Sequence, residues 1–160
     1  MDLSIIILNY KSKGLTHQCL KTIKECAPSC DFELIVVDND SGDGLGAMLA
    51  ERHPDVVFIA APQNLGYAAG NNLGIRASRG RYVCVVNPDI TVRPSSIDAM
   101  VRYMDANQNV GVLGPKLVRP DGSIDESCFR FPAPLTPLYR RTPFGQTAAG
   151  RADLSRYVMA

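Results

Sequence analysis

The chain has 160 residues, 46% apolar and 21% charged, with a formal net charge of +1. That length suits one domain, or one large piece of a domain, and can bury a core without staples; the near-neutral charge argues against a nucleic-acid partner or a global attraction to anionic membrane. The five cysteines, Cys19, Cys26, Cys30, Cys84 and Cys128, are odd in number and form no C-x-x-C pair, which argues against a disulfide framework or zinc site and for reduced thiols in a cytoplasmic protein.

The opening MDLSIIILNYKSKG has too short an apolar run for a signal or a membrane span, so any membrane contact is expected to be peripheral. Within it, Leu3–Leu8 reads as a buried parallel strand. Leu15, Cys19, Leu20, Ile23, Cys26 and Ala27 then repeat at three- and four-residue steps, one apolar helix face. Phe32–Val37 predicts a second strand, Gly42–Arg52 a short helix, and Val56–Ala60 a weaker strand. Tyr67–Ser78 predicts a third helix and Tyr82–Val86 another Val-rich strand. Ile97, Met100, Val101 and Met104 mark a fourth helix, with Pro94-Ser95-Ser96 at its start and Asp98 in its acidic first turn. This β-α alternation predicts an α/β fold with right-handed crossovers and a mostly parallel sheet.

Val110–Val118 reads as a further strand, and Asp121-Gly122 as a hairpin turn into Ser123–Phe131. The following FPAPLTPLYRRTPFGQTAAGR carries four prolines and no apolar period, so it reads as a loop, lid or linker. Asp153–Ala160 has a weak helical pattern. The expected division is residues 1–131 as a ligand-binding portion and 132–160 as a Pro/Arg-rich loop opening a second part.

Open α/β sheets bind ligands at the carboxyl ends of their strands. Polar residues follow each apolar run: Asn9-Tyr10, then Asp38-Asn39-Asp40-Ser41-Gly42-Asp43, then Asn64-Leu65-Gly66, then Asn87-Pro88-Asp89. Four such clusters favour a ligand site. The first turn, NYKSKG, has neither G-x-G-x-x-G nor G-K-[ST], which disfavours a dehydrogenase or a P-loop ATPase. Tyr10 can stack on a base or pack on the first helix. Asp38 suits contact with a nucleoside donor group, whereas Asp43 suits turn chemistry. In NLGYAAGNNLGI, Gly70 and Gly74 each cost helix stability. They make sense where backbone approaches a ligand or a strand closely, though tight packing on the sheet accounts for the glycines and not for Asn71 and Asn72. Pro88 ends its strand and holds Asp89 in the crevice. A lone carboxylate there suits a hard divalent cation completed by phosphate oxygens and water, although Asn-Pro-Asp is also an ordinary turn.

SIIILNYKS, ELIVVDNDSGDG, NLGYAAGNNLGI, YVCVVNPDI and VGVLGPKLV follow one another as in inverting family 2 glycosyltransferases of the GT-A fold, over about residues 3–131. The sequence most resembles the bacterial rhamnosyltransferase-like branch. The resemblance implies a nucleotide-diphospho-sugar donor, a dTDP- or UDP-sugar, and a saccharide or lipid-linked acceptor in cell-surface polysaccharide or glycolipid synthesis. It places the donor at Asn9, Tyr10, Asp38, Asp40, Asn64, Gly66, Asn71 and Asn87. It makes Asp89 the ligand of Mg²⁺ or Mn²⁺ in a D-x-D variant whose first position is Asn87. It also places the enzyme in the cytoplasm at the inner membrane face. Arg130, Arg140 and Arg141 could touch a diphosphate or an anionic acceptor, or simply be solvated.

Family members continue into a part carrying the acceptor site and the general base, so the base is expected beyond residue 160. Asp121, Asp125 and Glu126 match no base position. The chain as given therefore reads as truncated or split, and a missing half leaves apolar surface that invites a homodimer. The competing readings are a non-catalytic donor-binding half-domain and a sugar nucleotidyltransferase, which would carry a Gly-rich basic loop where NYKSKG stands.

Overall fold

Leu3–Asn9 forms β1, and all seven of its residues are buried. A strand buried on both faces needs apolar side chains at successive positions, and Ile5-Ile6-Ile7 provides them. Leu3, Ile5 and Ile7 enter one core cluster, while Ile6 and Leu8 enter another, as the two-residue pleat requires. Burial of one such side chain contributes about 1.5–3 kcal/mol. The computed structural model describes residues 1–125 and 129–158. They divide into two units, Met1–Leu113 and Gly114–Ala160.

The first unit runs β1, α1 (Lys13–Cys26), β2 (Phe32–Asp38), α2 (Leu45–Arg52), β3 (Val57–Ala60), α3 (Gly66–Ala77), β4 (Tyr82–Val86) and α4 (Ser96–Ala106). Its four strands form one parallel sheet in the order β3-β2-β1-β4. The larger core gathers Cys19, Leu20 and Ile23 of α1, Leu45 and Leu49 of α2 and Ile97 of α4 against β1 and β2. Leu73 of α3 packs on the opposite face with Ile6, Leu8, Ile35 and Val37. The expected α/β alternation is thus observed, with helices on both faces. The glycines of α3 serve the sheet. A Cβ on Gly74 would stand 2.5 Å from Ile6 Cγ2, and one on Gly70 would stand 2.7 Å from Leu8 Cδ1. Close helix-on-strand approach, and not a ligand, accounts for both positions.

At the amino-terminal edge of the sheet, Ser4 is fully buried. Its Oγ donates to Glu33 Oε1 at 2.7 Å and accepts from the N–H groups of Arg79 and Gly80. Arg79 also donates to Glu33 through its backbone and guanidinium. Burial alone would raise the Glu33 carboxyl, but the bonds from Ser4 and Arg79 together hold it below the usual carboxylate range. Between α1 and the end of α2, His17 Nδ1 and His53 Nε2 lie 2.9 Å apart, and the buried Nδ1 of His53 has no partner among the described residues.

The second unit holds a two-stranded antiparallel sheet, β5 (Leu117–Val118) with β6 (Ile124–Asp125), then α5 (Thr136–Arg141), a 3₁₀ turn (Pro143–Gln146) and α6 (Ala148–Tyr157). Two expectations change here. Of Val110–Val118 only Leu117–Val118 is strand, because Gly111, Gly114 and Pro115 do not sustain a ladder. The turn at Asp121-Gly122 forms, and of Ser123–Phe131 the described strand is Ile124–Asp125. The Pro-rich stretch is helical in two places: Pro137 sits in the first turn of α5, where its missing N–H costs nothing, and Thr147 caps α6 by accepting from the Gly150 N–H. The hairpin belongs to the same compact unit as these later helices. Glu126, Cys128 and the end of the expected 153–160 helix lie outside the described residues. No helix among the described residues is long and apolar enough to cross a membrane.

Candidate donor-binding site

Strand order places the switch point between β1 and β4, since the chain winds one way from β1 to β2 and β3 and the other way to β4. In such sheets the crevice outside the strand ends at this point receives ligands. Register puts the polar clusters at one level. Asn9 pairs with Asp38, Asp38 pairs with Ala60, and Ile7 pairs with Val86, the residue before Asn87. Asp38 and Asp89 therefore leave strands two positions apart, about 10 Å at the usual strand spacing.

Asn9 is fully buried and holds this edge together. Its Nδ2 donates to Asp38 Oδ1 at 2.9 Å, to Ser41 Oγ at 2.8 Å and, more weakly, to Asp43 Oδ2 at 3.3 Å. Its Oδ1 accepts from the hydroxyls of Ser12 and Thr16. Both ends of the Asn9 amide are thus occupied, and the side chain lies beneath the rim, bonded to Asp38. Asp43 also behaves as turn chemistry, accepting from the N–H groups of Leu45 and Lys13.

Asp38 is half-buried beside the rim, and Asp40 is exposed in the left-handed region at φ 62°. Tyr10 is 46% exposed, with Lys11 Nζ 5.3 Å from its ring centroid. Asn39, which sequence reading passed over, is buried and joins two loops. Its Nδ2 donates to Asn64 Oδ1 at 2.9 Å and its Oδ1 accepts from the Leu65 N–H. Asn64 Oδ1 accepts in turn from the Gly66 N–H. Gly66 sits at φ 76°, a backbone that favours glycine.

Asn71 is 5% exposed, so its side chain too lies beneath the rim. It donates to the Tyr67 carbonyl at 3.0 Å, while its buried Oδ1 has no partner among the described residues. Tyr67, also missed, donates its hydroxyl to Asn87 Oδ1 at 3.0 Å. The only sequence signal for it was an aromatic residue directly after the Asn64–Gly66 turn.

Asn87 and Asp89 are exposed at the end of β4. Asp89 has no hydrogen-bond or ion-pair partner among the described residues. Its charge does reach the core: burial first, and the Asp89 carboxylate second, push the Cys19 thiol up to about 11. Among the described residues no three His, Cys, Asp or Glu side chains converge as a metal cage. A free carboxylate beside a carboxamide fits a hard oxygen-liganded cation whose remaining ligands come from a substrate.

The glycosyl transferase family 2 model matches residues 4–144. The low-salt glycan biosynthesis hexosyltransferase Agl10 of Haloferax volcanii is 33% identical over 144 residues, 87% of this chain and 43% of that protein. The N-acetylglucosaminyl-diphospho-decaprenol L-rhamnosyltransferase of Mycobacterium tuberculosis is 32% identical over 130 residues, 69% of this chain and 42% of that protein. The mannosyltransferase PcManGT from Pyrobaculum calidifontis, solved with GDP-Man and Mn²⁺, superposes with a TM-score of 0.59 at 22% identity, over 74% of this chain and 36% of that one. At that identity the likeness speaks for the fold, which is that of the GT-A glycosyltransferases. The chain spans less than half the length of these relatives. Motif order, parallel sheet and family match agree, and the chain belongs to glycosyl transferase family 2.

Proposed function

We infer that this chain is the donor-binding portion of a glycosyltransferase that moves a sugar from a nucleotide-diphospho-sugar to an acceptor hydroxyl with inversion. The observation that carries this reading is that Asp38 ends β2 and Asp89 follows the end of β4, both at the carboxyl edge of the sheet and on either side of the switch point, with neither paired to a basic side chain among the described residues. Asp38 and the exposed Tyr10 ring suit a nucleoside. Asp89 suits a Mg²⁺ or Mn²⁺ ion shared with a diphosphate, and PcManGT was solved with Mn²⁺ and a nucleotide-sugar. When bound, such an ion offsets the charge that develops on the departing nucleoside diphosphate. The acceptor oxygen bonds to the anomeric carbon as the carbon–oxygen bond to the diphosphate breaks, and the acceptor proton passes to a general base.

Relatives that include a hexosyltransferase of glycan biosynthesis and a rhamnosyltransferase acting on a diphospho-decaprenol support a saccharide or lipid-linked acceptor in cell-surface glycan synthesis. Work at the inner membrane face from the cytoplasm is part of the same proposal. dTDP- and UDP-sugars are the proposed donors. Val83 and Val85, exposed on the outer strand β4, support self-association through that face.

A thermal-shift panel of nucleoside diphosphates and nucleotide-sugars, run with Mn²⁺ and with EDTA, tests the reading. It expects stabilisation by UDP or dTDP compounds that requires the cation. No stabilisation by any nucleotide would overturn it.

A further inference from the structure

Tyr67 is 61% exposed, so its ring contributes little to the core of the first unit. Its position is nonetheless well held. Asn71 Nδ2 holds the Tyr67 carbonyl at 3.0 Å from within α3. Immediately before it, the Gly66 N–H is fixed on Asn64 Oδ1, and Asn64 is fixed on Asn39 at the end of β2. From this support the Tyr67 hydroxyl reaches 20 residues ahead and donates to Asn87 Oδ1 at 3.0 Å. A line of hydrogen bonds thus runs from the loop after β2 to the loop after β4.

The receiving end is held as well. The Asn87 carbonyl accepts from the Ile90 N–H at 3.2 Å and lies 3.8 Å from the Cys19 thiol. What remains to be set is the rotation of the Asn87 carboxamide. A carboxamide has one oxygen face and one NH₂ face, and they do opposite chemistry. With one lone pair of Oδ1 engaged by the Tyr67 hydroxyl, the rotation of the group is set, and its two N–H donors have no partner among the described residues. An N–H donor cannot ligate a cation but is suited to a phosphate or sugar oxygen. The turn therefore presents a donor at Asn87 and an acceptor at Asp89.

We propose that Tyr67 is a positioning residue, which fixes the Asn87 carboxamide as a hydrogen-bond donor to the oxygens of a bound nucleoside diphosphate. This rests on the donor-binding reading above and specifies how that site meets its ligand.

The test is a double-mutant cycle of calorimetric titrations with UDP and dTDP at saturating Mn²⁺. It uses the full 160-residue chain as wild type, Tyr67→Phe, Asn87→Ala and the double variant. Tyr67→Phe deletes one exposed hydroxyl, and melting curves check that it folds as wild type does. Tyr67→Phe is expected to weaken nucleotide binding about fivefold, the size of one neutral hydrogen bond. The same change made on Asn87→Ala is expected to cost less than about twofold, since Tyr67 acts only through the amide. An unchanged affinity in Tyr67→Phe overturns the inference. So does an equal loss with and without Asn87, or a melting temperature lowered enough to assign Tyr67 to the fold. If wild type itself binds neither nucleotide, the donor-binding reading fails and this inference with it.

Discussion

Asn9 Nδ2 donates to Asp38 Oδ1 at 2.9 Å across the β1–β2 pair, from a side chain with no exposed surface. A buried amide thereby sets the direction of a carboxylate at the rim. It also draws in Ser41, Ser12 and Thr16, so one residue organises two loops and the start of α1. Asn9→Ala is expected to cost about 2–4 kcal/mol in urea unfolding, because several buried polar groups lose partners at once. Asn9→Asp should be worse at neutral pH than near pH 4, because the new carboxylate would face Asp38 and Asp43.

The Glu33 cluster makes stability depend on pH at the acid end. Burial pushes this carboxyl up, but Ser4 and Arg79 together hold it lower than in the unfolded chain. Stability from such a group is complete above the unfolded value, roughly 4.3, and is lost as pH falls through the lower folded value. Glu33→Gln should flatten the pH dependence of the unfolding free energy below about pH 4.5 and lower that free energy at pH 7 by about 1–3 kcal/mol. A Glu33→Gln profile parallel to wild type would contradict this.

His53 acts in a second pH window. Burial first, then the charge of Lys24, then His17, lower its proton affinity in the folded state. The unfolded chain therefore binds the extra proton first, and stability should fall as pH drops below about 6.5. Replacing His53 with Phe should remove that slope in melting temperatures recorded between about pH 5 and pH 7.5.

Gly74→Ala separates propensity from packing. Helix propensity alone favours Ala by about 1 kcal/mol. The new Cβ would meet Ile6 Cγ2 at 2.5 Å on a fully buried strand, so the net effect is expected to be a loss of about 1–3 kcal/mol. Denaturant titration gives the sign.

The strands and the rim were legible because they rest on local chemistry. Continuous Ile and Val runs specify β1 and β2 as buried parallel strands, whereas Tyr82–Val86, expected to be buried as well, forms an outer strand of half-buried and exposed residues; the polar clusters beginning at Asn9, Asp38, Asn64 and Asn87 follow the strand ends. What stayed hidden depends on which strands become neighbours. That Asn9 is buried and bonded to Asp38 follows only from the β1–β2 register, which puts the two residues side by side. Asn39 and Tyr67 gain their roles only from partners 25 and 20 residues away. In the tail, proline density masked α5, since a proline in the first turn breaks a pattern on paper but not a helix.

The most direct test of the account is calorimetric titration of UDP and dTDP into wild type and Asp89→Ala, each with Mn²⁺ and with EDTA. One nucleotide spanning Asp38 and Asp89 predicts that Mn²⁺ tightens wild-type binding at least about tenfold, roughly 1.4 kcal/mol. It predicts that Asp89→Ala loses this gain while keeping the weaker cation-independent binding. An Asp89→Ala chain that retains the full Mn²⁺-dependent gain would contradict the account.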